Sequence, residues 1–500
     1  MTDAQFTDWL KSQAARRCVL IEVAPQIGGV ESVVYLATKP FTTGPGEAPA
    51  NTTYLPIATV GTLFTERLLL EGDGSLSAGD LEIDNIGGER DAWAGTSYVW
   101  ANRSIKAYIG DVRWPRADFR MIFNGIVADI APRGRSKLAL KLRDKLQRLN
   151  TPISEAKLGG TGENQDALRP VAFGQVFNVT PLRTSTGTLD YQGHDGSSEG
   201  IIEPRDNGAP LIGGEYTTNP AGGTFTLGDQ PAGAVTVSFR GDNVGGYRET
   251  VAPIIKRIVT AYGKASDRFS DADIDLVNFS TFDSGHQQGV GLYSSDRLNV
   301  LTACQMLAGS LGAQLVMSRL GLLRIVQLAL PGVGTPFVIG PEHVVHTKQG
   351  ESTLQPTGRT AAVGAVKLGF CKNWTVQEAG TLAGLPDRHK DLFSTEWRTT
   401  TKSDAATLAK FRLNAEPVQQ DTMLLTRADA GAEAQRRLDL WKVPRTTYEF
   451  DGVPELLQLE LGQAVTVYNP RFGMAAGVPG IVISLAPDWN TGRVKVGFLV

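Results

Sequence analysis

Three cysteines in 500 residues, Cys18, Cys304 and Cys371, are too few, too scattered and odd in number for a disulfide framework. No CxxC pair exists, which also argues against a thiolate zinc site. The plain reading is buried, free thiols in a reducing cytoplasm. No stretch approaches the ~20 apolar residues of a membrane span. Met1 to Gln13 is polar and lacks the apolar centre of a secretory signal, so we expect a protein made and kept in a cytoplasm, or assembled there into something larger. One-sided charge is missing too: 49 Lys and Arg against 52 Asp and Glu leave a net charge of −3, with no general attraction to nucleic acid or membrane.

Catalytic patterns are equally scarce. There is no HExxH. Gly263-Lys264 lacks the phosphate-loop glycine five residues upstream, where Ile258 stands. We therefore expect no enzyme, no catalytic, cofactor-binding or metal-binding residue, and no cofactor. Three groups of residues bear on that expectation. His343 and His346 beside Glu342 could ligate a metal, but their spacing better suits an exposed loop. Asp271 with Asp273, or Glu449 with Asp451, could act as an acid/base pair in a peptidoglycan hydrolase, but nothing sets either pair across a cleft. The basic run Arg133, Arg135, Lys137, Lys141, Arg143, Lys145 and Arg148, interrupted by Asp144, could line a DNA channel or meet an acidic neighbour. The solvated face of a strand and short helix is the preferred reading, and no aromatics interleave to suggest single-strand binding.

What the chain does have is glycine, 56 residues of it, spread without period among Thr, Val and Pro. That is roughly one and a half times ordinary usage and points to many short strands joined by tight turns. A single core stops growing at about 250–300 residues, so several domains are expected. Alternating patterns put strands at 18–24, 31–36, 81–86, 105–109, 121–130 and 137–143, after a helix at 3–17. Shorter strands follow, clearest at 225–227 and 234–239. Near Tyr247 the period changes: 250–263, 271–279 and 295–311 read as helices, the last capped by Ser295. Strands are expected at 313–318 and 322–327, helices near 402–416 and 427–441, and strands at 457–461, 464–468, 480–485 and 493–500. The fold class is therefore mainly β with an α/β module. Its expected divisions are a barrel-like domain at 1–150, a small β module at 151–245, an α/β module at 246–345 and a second barrel-like domain at 346–500. Loops at 39–53, 155–170 (with Gly159-Gly160-Thr161-Gly162) and 376–390 are expected to order against neighbours.

Both β-rich ends finish alike. Gly125-Ile126-Val127-Ala128-Asp129-Ile130-Ala131-Pro132 precedes a turn and the alternating run Lys137–Leu142. Gly480-Ile481-Val482-Ile483-Ser484-Leu485-Ala486-Pro487 precedes a turn and the run Arg493–Phe498. Either these are two unrelated hairpins, or the chain carries two similar small barrels around an inserted middle. In the second case, three copies around an axis would present six similar domains.

The stretch from Phe173 to Val237 resembles the middle of phage tail proteins of the siphophage and gene-transfer-agent kind. The residues that carry this are Gly174–Pro181, Tyr191–Gly196 (with His194), Asp206-Asn207-Gly208 and Leu227–Gly233. Thr250–Pro253, Val290–Tyr293, Arg319–Leu323, Leu461–Val467 and Arg471-Phe472-Gly473 extend the resemblance over roughly residues 100–500. It implies a structural tail-tip or baseplate hub protein in the virion, assembled in the host bacterial cytoplasm. Its implied partners are a homotrimer on the tail axis, distal tail or tube ring proteins above and a central tip or fibre below, with DNA passing unread and no membrane anchor. The cysteine-ligated iron–sulfur domain of some relatives has no counterpart here. Two other readings stay open. One is a receptor- or carbohydrate-binding tip protein, with Trp93, Tyr98 and Trp100 as candidates although core and strand positions suit them better. The other is a hub-borne hydrolase.

Overall fold

The computed structural model describes residues 1–70, 78–160, 164–185, 187–378, 380, 382, 384–414 and 416–500. Thr161 and Gly162 of the glycine-rich connector, and residues 379, 381 and 383 of the 376–390 loop, lie outside them. The chain is mainly β and forms two compact units. One comprises Met1–Gln147, Val316–Thr360 and Arg445–Val500, the other Arg148–Leu315 and Ala361–Pro444.

The first unit holds a near-closed barrel of seven strands. Their order is Val34–Ala37, Arg17–Val23, Ser104–Asp111, Arg120–Pro132, Lys137–Arg143, Ala78–Asp84, Ala58–Thr59. Period-two alternation drives it: Ile105, Ala107 and Ile109, and Leu138, Leu140 and Leu142, are all buried, while Lys141 and Arg143 are exposed. Arg17–Val23 is apolar on both faces because Cys18 and Leu20 pack on Phe41, Tyr54 and Phe119 outside the barrel. One short stretch brings the sheet edges together. Leu55 exchanges backbone hydrogen bonds with Tyr35 and Ala37, and Ala58 and Thr59 pair with Ile83 and Glu82.

A second, open sheet in the same unit runs Phe337–Ile339, Ala464–Val467, Val478–Asp488, Arg493–Leu499, Thr446–Gly452, Gln355–Arg359, with Glu66–Arg67 on Val478–Asp488. Its four central strands repeat four of the barrel. In each set the first strand pairs with the fourth, and strands two, three and four form a meander, all antiparallel.

The hairpins repeat residue by residue. Ile126 faces Arg143 and Val127 faces Leu142; Ala128 is then extra, and Asp129 faces Lys141. Likewise Ile481 faces Leu499 and Val482 faces Phe498; Ile483 is extra, and Ser484 faces Gly497. The same bulge thus falls at the same place in both copies of the G-I-V pattern. The glycine has one cause in both. A Cβ on Gly125 would stand 2.7 Å from the Arg143 carbonyl oxygen, and one on Gly480 would stand 2.9 Å from that of Leu499.

The second unit contains a five-stranded sheet in the order Ala209–Pro210, Ser198–Asp206, Val235–Asp242, Val171–Val179, Gly291–Ser294. Its helix Val251–Ala261 buries Val251, Ile254, Ile255, Ile258 and Val259, the stripe that a 3.6 period dictates. A helix at Arg427–Trp441 packs Ala434 and Leu438 on Val366 and Leu368 of a three-stranded sheet. Its Arg437 donates to the Gly309 carbonyl at 2.6 Å, satisfying the open C-terminal end of the helix Val300–Ser310.

Several expectations need correction. The first helix stops at Lys11, with Ser12 at its C-cap, instead of running to residue 17. The expected 31–36 strand splits into Val30–Glu31 and Val34–Ala37. Ser295 caps nothing: the helix begins at Val300 behind Asn299, because Ser294 holds residues 294–296 in a turn through the Asp296 backbone. Leu457–Leu461 is not a strand; Pro454 opens a short 3-10 turn there, with Leu456 and Leu457 buried. Cys18 and Cys304 are buried, but Cys371 is only half-buried.

Candidate functional site

A dense polar cluster lies in the second unit, around a residue that sequence reading did not single out. Asp242 ends the strand Val235–Asp242 and is almost wholly buried. Arg257, one helical face away from the core stripe of Val251–Ala261, grips it with two hydrogen bonds of 2.9 and 3.0 Å, and the Tyr262 hydroxyl donates a third at 3.0 Å. His194 accepts a hydrogen bond from the Ala172 amide on Nδ1, so its proton sits on Nε2, which faces Asp242 from 3.8 Å, too long for a hydrogen bond. Burial raises the cost of the Asp242 charge, but His194, Arg257 and Tyr262 outweigh it and hold the carboxyl well below the ordinary range. Burial pushes the Tyr262 phenol up.

Chemically, this set could be drawn as a histidine–carboxylate pair. His194 is fully buried, however, and neither it nor Asp242 lines the adjacent cleft. The arrangement ties a sheet to a helix. The sequence carries no clear signal for it, since Thr236, Ser238 and Arg240 already interrupt the apolar run before Asp242.

The other tail-resemblance residues meet structural needs of the same kind. Gly174 has a positive φ, and a Cβ there would overlap the Val290 carbonyl at 1.9 Å. Asn178, also at positive φ and buried, donates to Asn373 and to the Thr375 carbonyl at 2.8 Å each. Two of the quoted segments join directly: Asp206 accepts from the Ala232 and Gly233 amides at 2.6 and 2.9 Å.

The three candidate groups do not converge. His343 accepts from the Gly340 amide on Nδ1 and places Nε2 3.1 Å from Glu455, while the backbone of His346 bridges to Ser352. Among the described residues no group of three or more His, Cys, Asp or Glu is placed to hold a metal. Asp271 pairs with Lys256 at 2.9 Å, whereas Asp273 closes the turn on Ser270. Glu449 and Asp451 are two residues apart on one strand. In the basic run, Arg133 and Lys137 share Glu82 at 2.8 and 2.7 Å, and Lys141, Arg143 and Arg135 stay exposed. Trp93, Tyr98 and Trp100 pack on one another with centroids 5.6 to 6.4 Å apart, and Trp100 is buried. No helix among the described residues is long and apolar enough to cross a membrane.

No protein-family profile matches the chain, and no curated protein sequence matches it. Solved structures do. A 43 kDa tail protein of prophage MuSo2 from Shewanella oneidensis is similar at 13% identity, over 97% of this chain and 98% of that one, with a TM-score of 0.41. A tail protein from Neisseria meningitidis MC58 is similar at 10% identity over 96% of each chain, with a TM-score of 0.35. A chain of the native gene transfer agent virion is similar at 12% identity, over 71% of this chain and 91% of that one, with a TM-score of 0.42.

Proposed function

We propose that this chain is a structural hub or adaptor of a phage tail tip or baseplate, working by assembly and not by catalysis. One observation carries the reading: the four-strand motif of residues 78–143 recurs at 446–499 with the same connectivity, the same register and the same bulge. A chain with two like β motifs offers six similar faces from three copies, which lets a sixfold tube meet a threefold tip. The tail-protein resemblance of Gly174–Pro181, Tyr191–Gly196 and Leu227–Gly233 points the same way. On this reading the two motifs belong to two hub-type barrels, at 1–150 and 346–500, flanking a β module at 151–245 and an α/β module at 246–345. The partners are two further copies, a tube or distal-tail ring and a central tip or fibre, with DNA passing through unread. The virion is its location after cytoplasmic assembly.

The experiment is localisation. Tails assembled with an affinity-tagged copy, decorated with a gold label and imaged, are expected to carry label at the tip alone. Label along the tube, on the head, or absent from particles would reject the reading. Purified protein is expected to leave a cell-wall suspension turbid; clearing would restore the hydrolase alternative.

A further inference from the structure

Trp93, Tyr98 and Trp100, the aromatic candidates of the sequence, pack on one another. Two other tryptophans stand apart from that cluster, in the second unit. Trp374 and Trp397 are half-buried and flank one ammonium. Lys372 Nζ lies 4.4 Å from the first ring centre and 5.2 Å from the second, with Glu396 at 3.2 Å. Trp397 is seated beside Gly369, where a Cβ would stand 3.3 Å from the indole. Two rings and one carboxylate thus fix the ammonium and leave it donors to spare.

Lys372 and Trp374 line a cleft of 490 Å³, a size within the ~300–1,000 Å³ span of small-ligand sites. Tyr293 meets Trp374 edge-on at 5.8 Å and directs its hydroxyl to the Thr180 carbonyl. Thr180 and Thr375 share one hydroxyl–hydroxyl hydrogen bond of 2.8 Å, which leaves one of the two protons undirected. Asp296 and Arg297 line the cleft from exposed positions. Neither the carboxylate nor the guanidinium has a hydrogen-bond or ion-pair partner among the described residues.

A ligand suited to this lining has an apolar face to lie against an indole and a rim of groups that both donate and accept hydrogen bonds. A purely apolar ligand would strip water from the Asp296 carboxylate and the Arg297 guanidinium without replacing it. A nucleic-acid strand needs a continuous basic track, and Asp296 and Glu396 interrupt this one. We propose that the cleft binds a saccharide chain, with a sugar ring against Trp374 and its hydroxyls held by Lys372, Asp296 and Arg297. This adds a binding activity to the assembly role and does not depend on how many copies the tail contains.

The purified full chain is applied to an array of bacterial capsular, O-chain and cell-wall oligosaccharides, with a thymidine oligonucleotide alongside. The tightest binder is then followed by titration calorimetry. We expect at least one saccharide to bind. Trp374→Ala should weaken it roughly tenfold, the usual effect of removing a stacked ring. Asp296→Ala and Arg297→Ala, both at exposed positions, should each weaken it roughly tenfold through lost charged hydrogen bonds, and Trp93→Phe should leave it unchanged. Thermal melting of each variant establishes that it folds, and the two exposed substitutions keep the test sound if Trp374→Ala does not. No saccharide bound, binding indifferent to Asp296 and Arg297, or binding of the oligonucleotide alone would each overturn the saccharide site and leave the hub reading standing.

Discussion

The two four-strand motifs share register and bulge, yet their surroundings have diverged. In motif one the first and second strands are joined through residues 85–103, which carry the Trp93, Tyr98 and Trp100 cluster and a small sheet with Gln26–Ile27 and Val30–Glu31. In motif two residues 453–463 join them by a tight turn, with Leu456, Leu457 and Leu459 buried beneath it. The last strand of motif one shows Lys141 and Arg143 to solvent, whereas Gly497 and Leu499 at the same positions are buried. What is common is what backbone geometry demands, a glycine and a bulge. What differs is what neighbours decide. On the proposed threefold reading, such a pair keeps six similar frames while giving each contact its own chemistry.

The largest expected effect falls on motif two alone. Glu66 is buried where Glu66–Arg67 pairs with Val478–Asp488, accepting from the Arg319 amide at 2.8 Å with the Arg319 guanidinium 3.4 Å away. Arg319 also donates to the Leu457 carbonyl at 3.0 Å. Arg319→Met should cost ~3 kcal/mol by stranding a buried carboxylate, read as a lower urea midpoint for the first unit. An unchanged midpoint would remove this pairing from the argument.

The next pair tests equivalence. Gly125→Val and Gly480→Val each drive a side chain against a backbone carbonyl, and each should cost ~2 kcal/mol. Similar losses in two separate purified variants support a shared frame; a loss in only one breaks it.

Acid should act on the motifs with opposite signs. Arg113 holds the Asp111 carboxyl well below the usual range, against the cost of its burial and with help from Trp9 and Arg16. The stability this contributes is present above the unfolded value of about 4 and is lost as pH falls. Burial pushes the Glu66 carboxyl up. Its contribution is complete below the unfolded value of about 4.3 and is lost as pH rises through the folded one. Urea midpoints between pH 3 and 7 should flatten at the acid end for Asp111→Asn and above it for Glu66→Gln. The smallest effect is Glu82→Gln, which frees the exposed Arg133 and Lys137. A slight melting shift in dilute buffer should vanish in 1 M salt.

Much of this frame was readable. Lys137–Arg143 and Arg427–Trp441 fall where their alternation and helical spacing put them, and the G-I-V echo carries the register match. The misreadings are local contests. Alternation cannot tell Leu457–Leu461 from a turn that buries leucines, and Ser295 has a capping residue's chemistry but lies in a turn five residues before the helix. The Asp242 cluster and the Glu66–Arg319 pair were not legible, because their members stand far apart in sequence and meet only through tertiary packing.

The most direct test of the account is the copy number and symmetry of this chain in purified, intact tails. The account predicts three copies, each contributing both motifs to a ring of six similar domains, with motif one of each chain beside motif two of the next. Six copies in identical environments, or a ring in which like motifs adjoin, would contradict it.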